Sequence, residues 1–185
     1  MRERGKTKKD LAGSLLLAHP AMRDPNFRRA VVLISSHSED GAMGVVINRP
    51  LGKRLGSLNA DFAAGDLADV PIYTGGPVQT DQLIITAWRI SREEGSFQLH
   101  FGIDPDKARE LRSAGLQLGA FLGYSGWGKG QLENELRQNT WVVLPVSGEE
   151  LTQGEEGTEL WSELLGGISP ELRLLADEPD DPSAN

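Results

Sequence analysis

The stretch GYSGWGKGQLENELRQNTW, residues 123–141, decides how the chain is read. Gly123, Gly126, Gly128 and Gly130 are interleaved with Tyr124 and Trp127, ahead of a segment in which Leu132 and Leu136 stand four apart. Glycines gathered this closely predict a sharp bend, because their backbone entropy cost is accepted where a chain must turn tightly. Large rings beside them either pin the bend to a core or line a shallow site. The leucine spacing predicts a helix over residues 131–137, and Trp141 opens the next apolar run.

Upstream, residues 116–122 read as a strand entering the bend. Asp104-Pro105 is a helix start, with a capping carboxylate before a proline at the first helical position, and Gly115 stops that helix. Phe97, Leu99, Phe101 and Ile103 alternate with Gln98, His100 and Gly102, the pattern of a half-buried strand. The polar SREEGS segment makes it a hairpin with a strand over residues 83–88. Residues 70–73 are extended and end at Gly75-Gly76-Pro77, and Ser57 is placed as the cap of a short helix within residues 51–69. The apolar runs 31–35 and 42–47 form a hairpin whose connection, residues 36–41, is longer than two residues. Residues 11–18 form a strand ended by His19-Pro20, and AMRDPNF, residues 21–27, is loop-like.

Downstream, residues 141–146 are a strand. Leu160, Trp161, Leu164 and Leu165 mark a helix stopped by Gly166-Gly167, and Ser169-Pro170 opens a last short helix through Leu175. Strands outnumber short helices and no βαβ period recurs. The prediction is an α+β fold: a single compact domain at residues 11–176, between a disordered basic arm (1–10) and a disordered acidic tail (177–185).

The composition narrows the chemistry. The 185 residues contain no cysteine, which removes disulfides, thiolate catalysis and cysteine-based metal sites together. The net charge of -8 is uneven: residues 149–185 hold eleven acidic groups and one basic, while residues 1–10 hold five basic and two acidic. No basic cluster in the middle of the chain would neutralise a track of phosphates, so direct DNA binding is not expected. No apolar run spans a membrane, and residues 11–17 are too short and wrongly flanked for a signal peptide, which predicts a cytoplasmic protein.

His19, His37 and His100 lack metal-binding spacing, so no metal is expected. His19 and His37 flank apolar strands and could meet near a strand mouth, or serve only in structural hydrogen bonds. GYSGWGKG departs from a phosphate loop at Gly130, where magnesium would need a hydroxyl, so no nucleotide cofactor is expected. The amides before the 131–137 helix could still hold an anion with Lys129, or the segment could be a structural bend with Trp127 packed on it. Ser125 is not in a nucleophile elbow. Asn48-Arg49-Pro50 reads either as an anion or carboxylate clamp or as a structural salt bridge.

Taken together, these motifs resemble the YqgE/AlgH family of bacterial proteins. The resemblance rests on LAGSLLLAHPAMRDPNF, on HSEDGAMGVVINRP, on Gly75-Gly76-Pro77-Val78, and on GYSGWGKGQLENEL with Trp141, in the family's order over roughly residues 11–175. It implies an unusual α+β architecture, with a small branched or barrel-like, mostly antiparallel sheet surrounded by short helices. It supplies no catalytic mechanism; one family name comes from a proposed transcriptional regulator of alginate production. The expected function is a regulatory or interaction protein without catalysis, whose partner is an unknown protein or a small anionic ligand, and a homo-oligomer is permitted. The alternatives are an anion-binding protein or enzyme, and a DNA-associated regulator. The candidate ligand or partner site comprises His37, Asn48, Arg49, Tyr124, Gly126, Trp127, Lys129 and Gln131, with no catalytic residue assigned.

Overall fold

A computed structural model describes residues 10–91, 93–147 and 157–178. Its strands are β1 (Ser14–Ala18), β2 (Val31–Ser38), β3 (Gly41–Val46), β4 (Pro50–Arg54), β5 (Pro71–Thr74), β6 (Val78–Ser91), β7 (Ser96–Ile103), β8 (Gln117–Trp127) and β9 (Trp141–Pro145). Its helices are α1 (Leu55–Leu58), α2 (Pro105–Ser113), α3 (Gln131–Arg137), α4 (Thr158–Ile168) and α5 (Pro170–Asp177). The described strands run in the order β4-β5-β8-β3-β2-β1-β9, with β6 and β7 branching from β8. All pairings are antiparallel except β5 with β8. The α+β reading holds, and the branched sheet stays open at its edges without closing into a barrel.

β8 joins the two halves. Its first part, residues 117–122, lies between β6 and β5, and its last part, residues 125–127, pairs with β3. Its side chains reach three separate cores. Leu118 and Ala120 pack with α2, Phe121 packs with Trp161 and Leu165 of α4, and Trp127 packs with Leu132 of α3. Alternation along β1 and β2 divides the faces. Leu15, Leu17, Val31 and Leu33 turn toward α4 and α5, while Leu16, Ala18, Val32 and Ile34 turn toward α3.

The expected glycine bend is confined to its second half, and its first half is a strand. GYSGW continues β8 through Trp127, and the chain turns only at Gly128–Gly130. Close backbone approach explains Gly123, whereas Gly130, at φ +74° with open space where a Cβ would be, serves the turn into α3. A Cβ on Gly76 would run into the Tyr124 carbonyl, and Gly123, at φ +74°, lies against the Gly76 carbonyl. The β2–β3 connection is also shorter than expected, because Ser38 pairs with Gly41 and only Glu39 and Asp40 remain in the turn. Ser57 is not an N-cap but the third residue of α1; Asn59 caps the following 3-10 turn.

Gly166 and Gly167 lie inside α4, which continues to Ile168. Gly166 there makes room for the Arg173 side chain, and Ser169 both ends α4 and caps α5. Apart from Asp10, Asp177 and Glu178, the predicted basic arm and acidic tail lie outside the described residues, as does the acidic stretch 149–156. No helix among the described residues is long and apolar enough to cross a membrane.

Candidate functional site

The segment between β1 and β2, residues 19–30, is a surface loop whose conformation is fixed from several sides. Within it, the Asp24 side chain accepts from the Asn26 amide at 2.9 Å, and the Asp24 carbonyl accepts from the amides of Phe27 and Arg28. This Asx turn, with Pro25 at its second position, follows directly from the DPN sequence. Buried Asn48 accepts from the Val31 amide and donates to the Arg29 carbonyl, both at 2.9 Å. Arg49 donates to the carbonyls of Asn26 (2.6 Å) and Arg28 (3.0 Å). Burial lowers the Arg49 pKa, opposed by the nearby Asp24 carboxylate and assisted by Arg28. Through these bonds Arg49 grips the backbone of its own chain's loop, not the anion or the salt-bridge carboxylate that the sequence offered as its two readings.

Aromatic packing holds the loop on its other side. Phe27 stacks on Trp127 with ring centroids 6.1 Å apart and meets the edge of Trp141 at 5.6 Å; Trp127 and Trp141 cross at 6.0 Å. Trp127 is only 5% exposed. Arg49 and Trp127 thus engage the same loop from different directions.

His37 occupies a separate position. Its Nδ1 accepts from the Leu11 amide at 3.0 Å, which leaves Nε2 to carry the proton donated to Glu133 of α3 at 2.8 Å. His19 sits at the opposite end of the β1–β2 pair, because antiparallel pairing of Leu17 with Val31 and Leu15 with Leu33 sends the two histidines apart. They do not meet. His100 bonds Gln98 on the β7 surface.

The remaining candidates lie around the start of α3. Gln131 accepts from the Gly128 amide at 3.0 Å, Lys129 is exposed in the turn, and Gly126 pairs with Met43 beside the Tyr124 ring. The seven-residue α3 already uses one amide of its lead-in on Gln131. Among the described residues no group of His, Asp and Glu is arranged to hold a metal ion.

Sequence reasoning missed two features. Glu135 of α3 faces the indole N–H groups of Trp141 and Trp127. Burial raises its pKa more than those two dipoles lower it, and Asp24 adds to the rise. The other is a cleft of about 420 Å³ beside the loop, walled by His19, Arg23, Arg28 and Arg29, with Trp161, Ala176 and Glu178 facing them. The Arg29 guanidinium lies 5.6 Å from the Trp161 ring centroid and donates to the Glu178 carbonyl at 3.2 Å. Trp161 is fixed in turn by its indole N–H to the Ala18 carbonyl at 2.8 Å. Arg23 is exposed and has no polar partner among the described residues. The sequence signal was the Arg28-Arg29 pair, two adjacent charges close ahead of a buried strand.

Comparison with known proteins agrees with this fold. The AlgH-like family model (DUF179) matches residues 15–173. The UPF0301 protein SCO2948 of Streptomyces coelicolor is 38% identical with 95% of each chain covered, as is a UPF0301 protein of Streptomyces avermitilis. The solution structure of the AlgH protein from Pseudomonas aeruginosa superposes with a TM-score of 0.66 at 30% identity, covering 98% of this chain and all of that one. The crystal structure of DIP2367 from Corynebacterium diphtheriae has a TM-score of 0.67 at 21% identity over 94% of this chain and 95% of its own, a likeness of fold alone.

Proposed function

The chain belongs to the AlgH-like family, and from that footing we propose that it acts by binding: an anionic group, on a small ligand or a partner protein, enters the cleft beside the residue 19–30 loop. The observation that carries this reading is the fixing of an arginine-bearing loop by Asn48 and Arg49. Side chains presented from a fixed backbone lose less freedom when a ligand arrives, so more of the interaction energy is retained as affinity. Planar guanidinium groups suit phosphate and carboxylate oxygens better than ammonium groups do.

A regulatory or interaction role follows naturally from such a site. The cleft offers a point of positive charge rather than a track, so the reading does not include duplex DNA as the ligand. A cytoplasmic location belongs to the same proposal.

The test is a titration of isotopically labelled protein with inorganic tripolyphosphate at low salt, followed by amide and indole resonances. Saturable shifts confined to residues 19–30 and the Trp161 indole are expected, with affinity reduced at least tenfold by Arg23→Gln with Arg28→Gln. Absence of saturation, or shifts centred elsewhere, would overturn the reading.

A further inference from the structure

The start of the residue 19–30 loop holds two side-chain donors that no described residue accepts from. The Met22 amide donates to the His19 carbonyl at 2.9 Å, which closes residues 19–22 into a turn. The His19 ring is fixed on this turn, because its Nδ1 accepts from the Ala21 amide at 3.1 Å. A neutral ring that accepts at Nδ1 carries its proton at Nε2, so Nε2–H is the donor left over. The second donor is the exposed Arg23 guanidinium, one residue past the turn. His19 and Arg23 both line the arginine cleft. Arg29 is already committed to the Glu178 carbonyl and the Trp161 ring, and Glu178 brings a carboxylate of its own to that wall. An anionic head is therefore drawn to the His19–Arg23 turn rather than to the Glu178 wall.

The cleft is larger than such a head needs. Its volume of about 420 Å³ lies within the roughly 300–1,000 Å³ of small-molecule sites, and one phosphate group fills only part of it. The rest of the lining includes Pro20 and Leu175, and Leu175 is 44% exposed. We propose that the cleft takes a phosphate monoester with a ring-sized apolar body, its head held by His19 Nε2–H and Arg23 and its body lying on Pro20 and Leu175. This rests on the binding reading above. An exposed guanidinium gives little affinity to a single charge, so the ligand needs both a doubly charged head and apolar surface to bury. A phosphate monoester supplies the two together: its terminal oxygens accept from both donors while its ester oxygen leads to the body.

The experiment titrates the full chain with phenyl phosphate, inorganic phosphate, benzoate and phenol, read by the amides of residues 19–23 and the Trp161 indole. Phenyl phosphate is expected to bind at least tenfold more tightly than each of the others. Against inorganic phosphate, that ratio corresponds to burial of about 55 Å² of apolar surface. His19→Asn keeps an acceptor for the Ala21 amide and removes the Nε2 donor, and should weaken both phosphate ligands about tenfold. Leu175→Ser should weaken phenyl phosphate severalfold and leave inorganic phosphate unchanged. If tripolyphosphate binds but phenyl phosphate has no advantage over inorganic phosphate, the inference fails and the binding reading stands. Unchanged affinity in His19→Asn would likewise overturn the inference alone, as would benzoate binding as tightly as phenyl phosphate. Phenol binding as tightly would sink the inference and the binding reading together, because charge would then contribute nothing. Failure of tripolyphosphate and phenyl phosphate alike to bind would remove both as well.

Discussion

The carboxamide nitrogen of Asn48 donates to the carbonyl of Arg29 at 2.9 Å, and Arg29 is held with φ +57°, in the left-handed region that side-chain-bearing residues seldom adopt. One buried amide thus fixes both the end of the loop and the start of β2, through Val31. Asn48→Ala should leave a buried donor and a carbonyl unsatisfied and lower stability by about 2–3 kcal/mol. The urea midpoint measures this; a midpoint like that of the unaltered protein would show that water replaces the amide without penalty.

Arg49→Lys should act locally. A lysine can reach one loop carbonyl at a time, whereas the guanidinium spans the carbonyls of Asn26 and Arg28. Hydrogen exchange at the amides of Phe27, Arg28 and Ala30 should accelerate severalfold while global stability falls by less than about 1 kcal/mol. Unchanged exchange at those amides would remove Arg49 from its role in fixing the loop.

Trp127→Ala should be severe, at about 3–5 kcal/mol, because it empties a buried site that Phe27, Trp141 and Leu132 share. Trp127→Phe keeps a ring against Phe27 and should recover much of the loss. Equal destabilisation by the two changes would point to the indole nitrogen rather than to packing.

Glu135→Gln tests a pH dependence. Burial raises the Glu135 pKa, so the folded protein keeps this proton to higher pH than the unfolded chain. The protein therefore carries no penalty from this group below the ordinary glutamate range, and loses stability as pH rises from that range through the raised value. The glutamine variant should be slightly more stable at neutral pH, by less than about 1 kcal/mol because the carboxyl is partly solvated, and indistinguishable near pH 4. Thermal melts at the two pH values give the comparison, and a variant equally altered at both would locate the effect in packing.

Gly76→Ala should prevent correct assembly of β8. At φ +154° and against the Tyr124 carbonyl, the added methyl displaces backbone rather than a flexible side chain, at a cost of about 3 kcal/mol or more. A soluble variant with an unaltered melting temperature would contradict the close approach of the residue 75–76 turn to β8.

Local chemistry written into the sequence proved sufficient for several elements. Asp104-Pro105 starts α2 with the capping bond from Lys107 at 2.7 Å, Ser169-Pro170 starts α5, and the alternation of Phe97, Leu99, Phe101 and Ile103 makes β7. These signals act within one turn or one strand, so a single chain displays them. At Gly123 the sequence misleads because glycine permits a bend and permits close packing equally, and only the chain lying across it distinguishes the two. That chain is the Gly75-Gly76 turn, some fifty positions away.

The candidate site divides in the same way. Asn48 and Arg49 stood out in the sequence as polar groups between an apolar strand and a proline, and that placement alone marked them as structural or ligand clamps. Their target depends on β2 pairing with β3, which brings the end of β3 back to the loop before β2. The arginine cleft is more distant still from anything local: its far wall comes from Trp161 of α4 and from Ala176 and Glu178 at the end of α5, packed on the opposite face of β1 from α3. By itself the sequence determined the proline-marked starts of α2 and α5 and the alternating faces of strands such as β7, because those follow from short-range sterics and periodicity. Tertiary structure alone decided what Asn48, Arg49 and the three arginines face, because burial and hydrogen-bond partners are set by residues far apart in the chain.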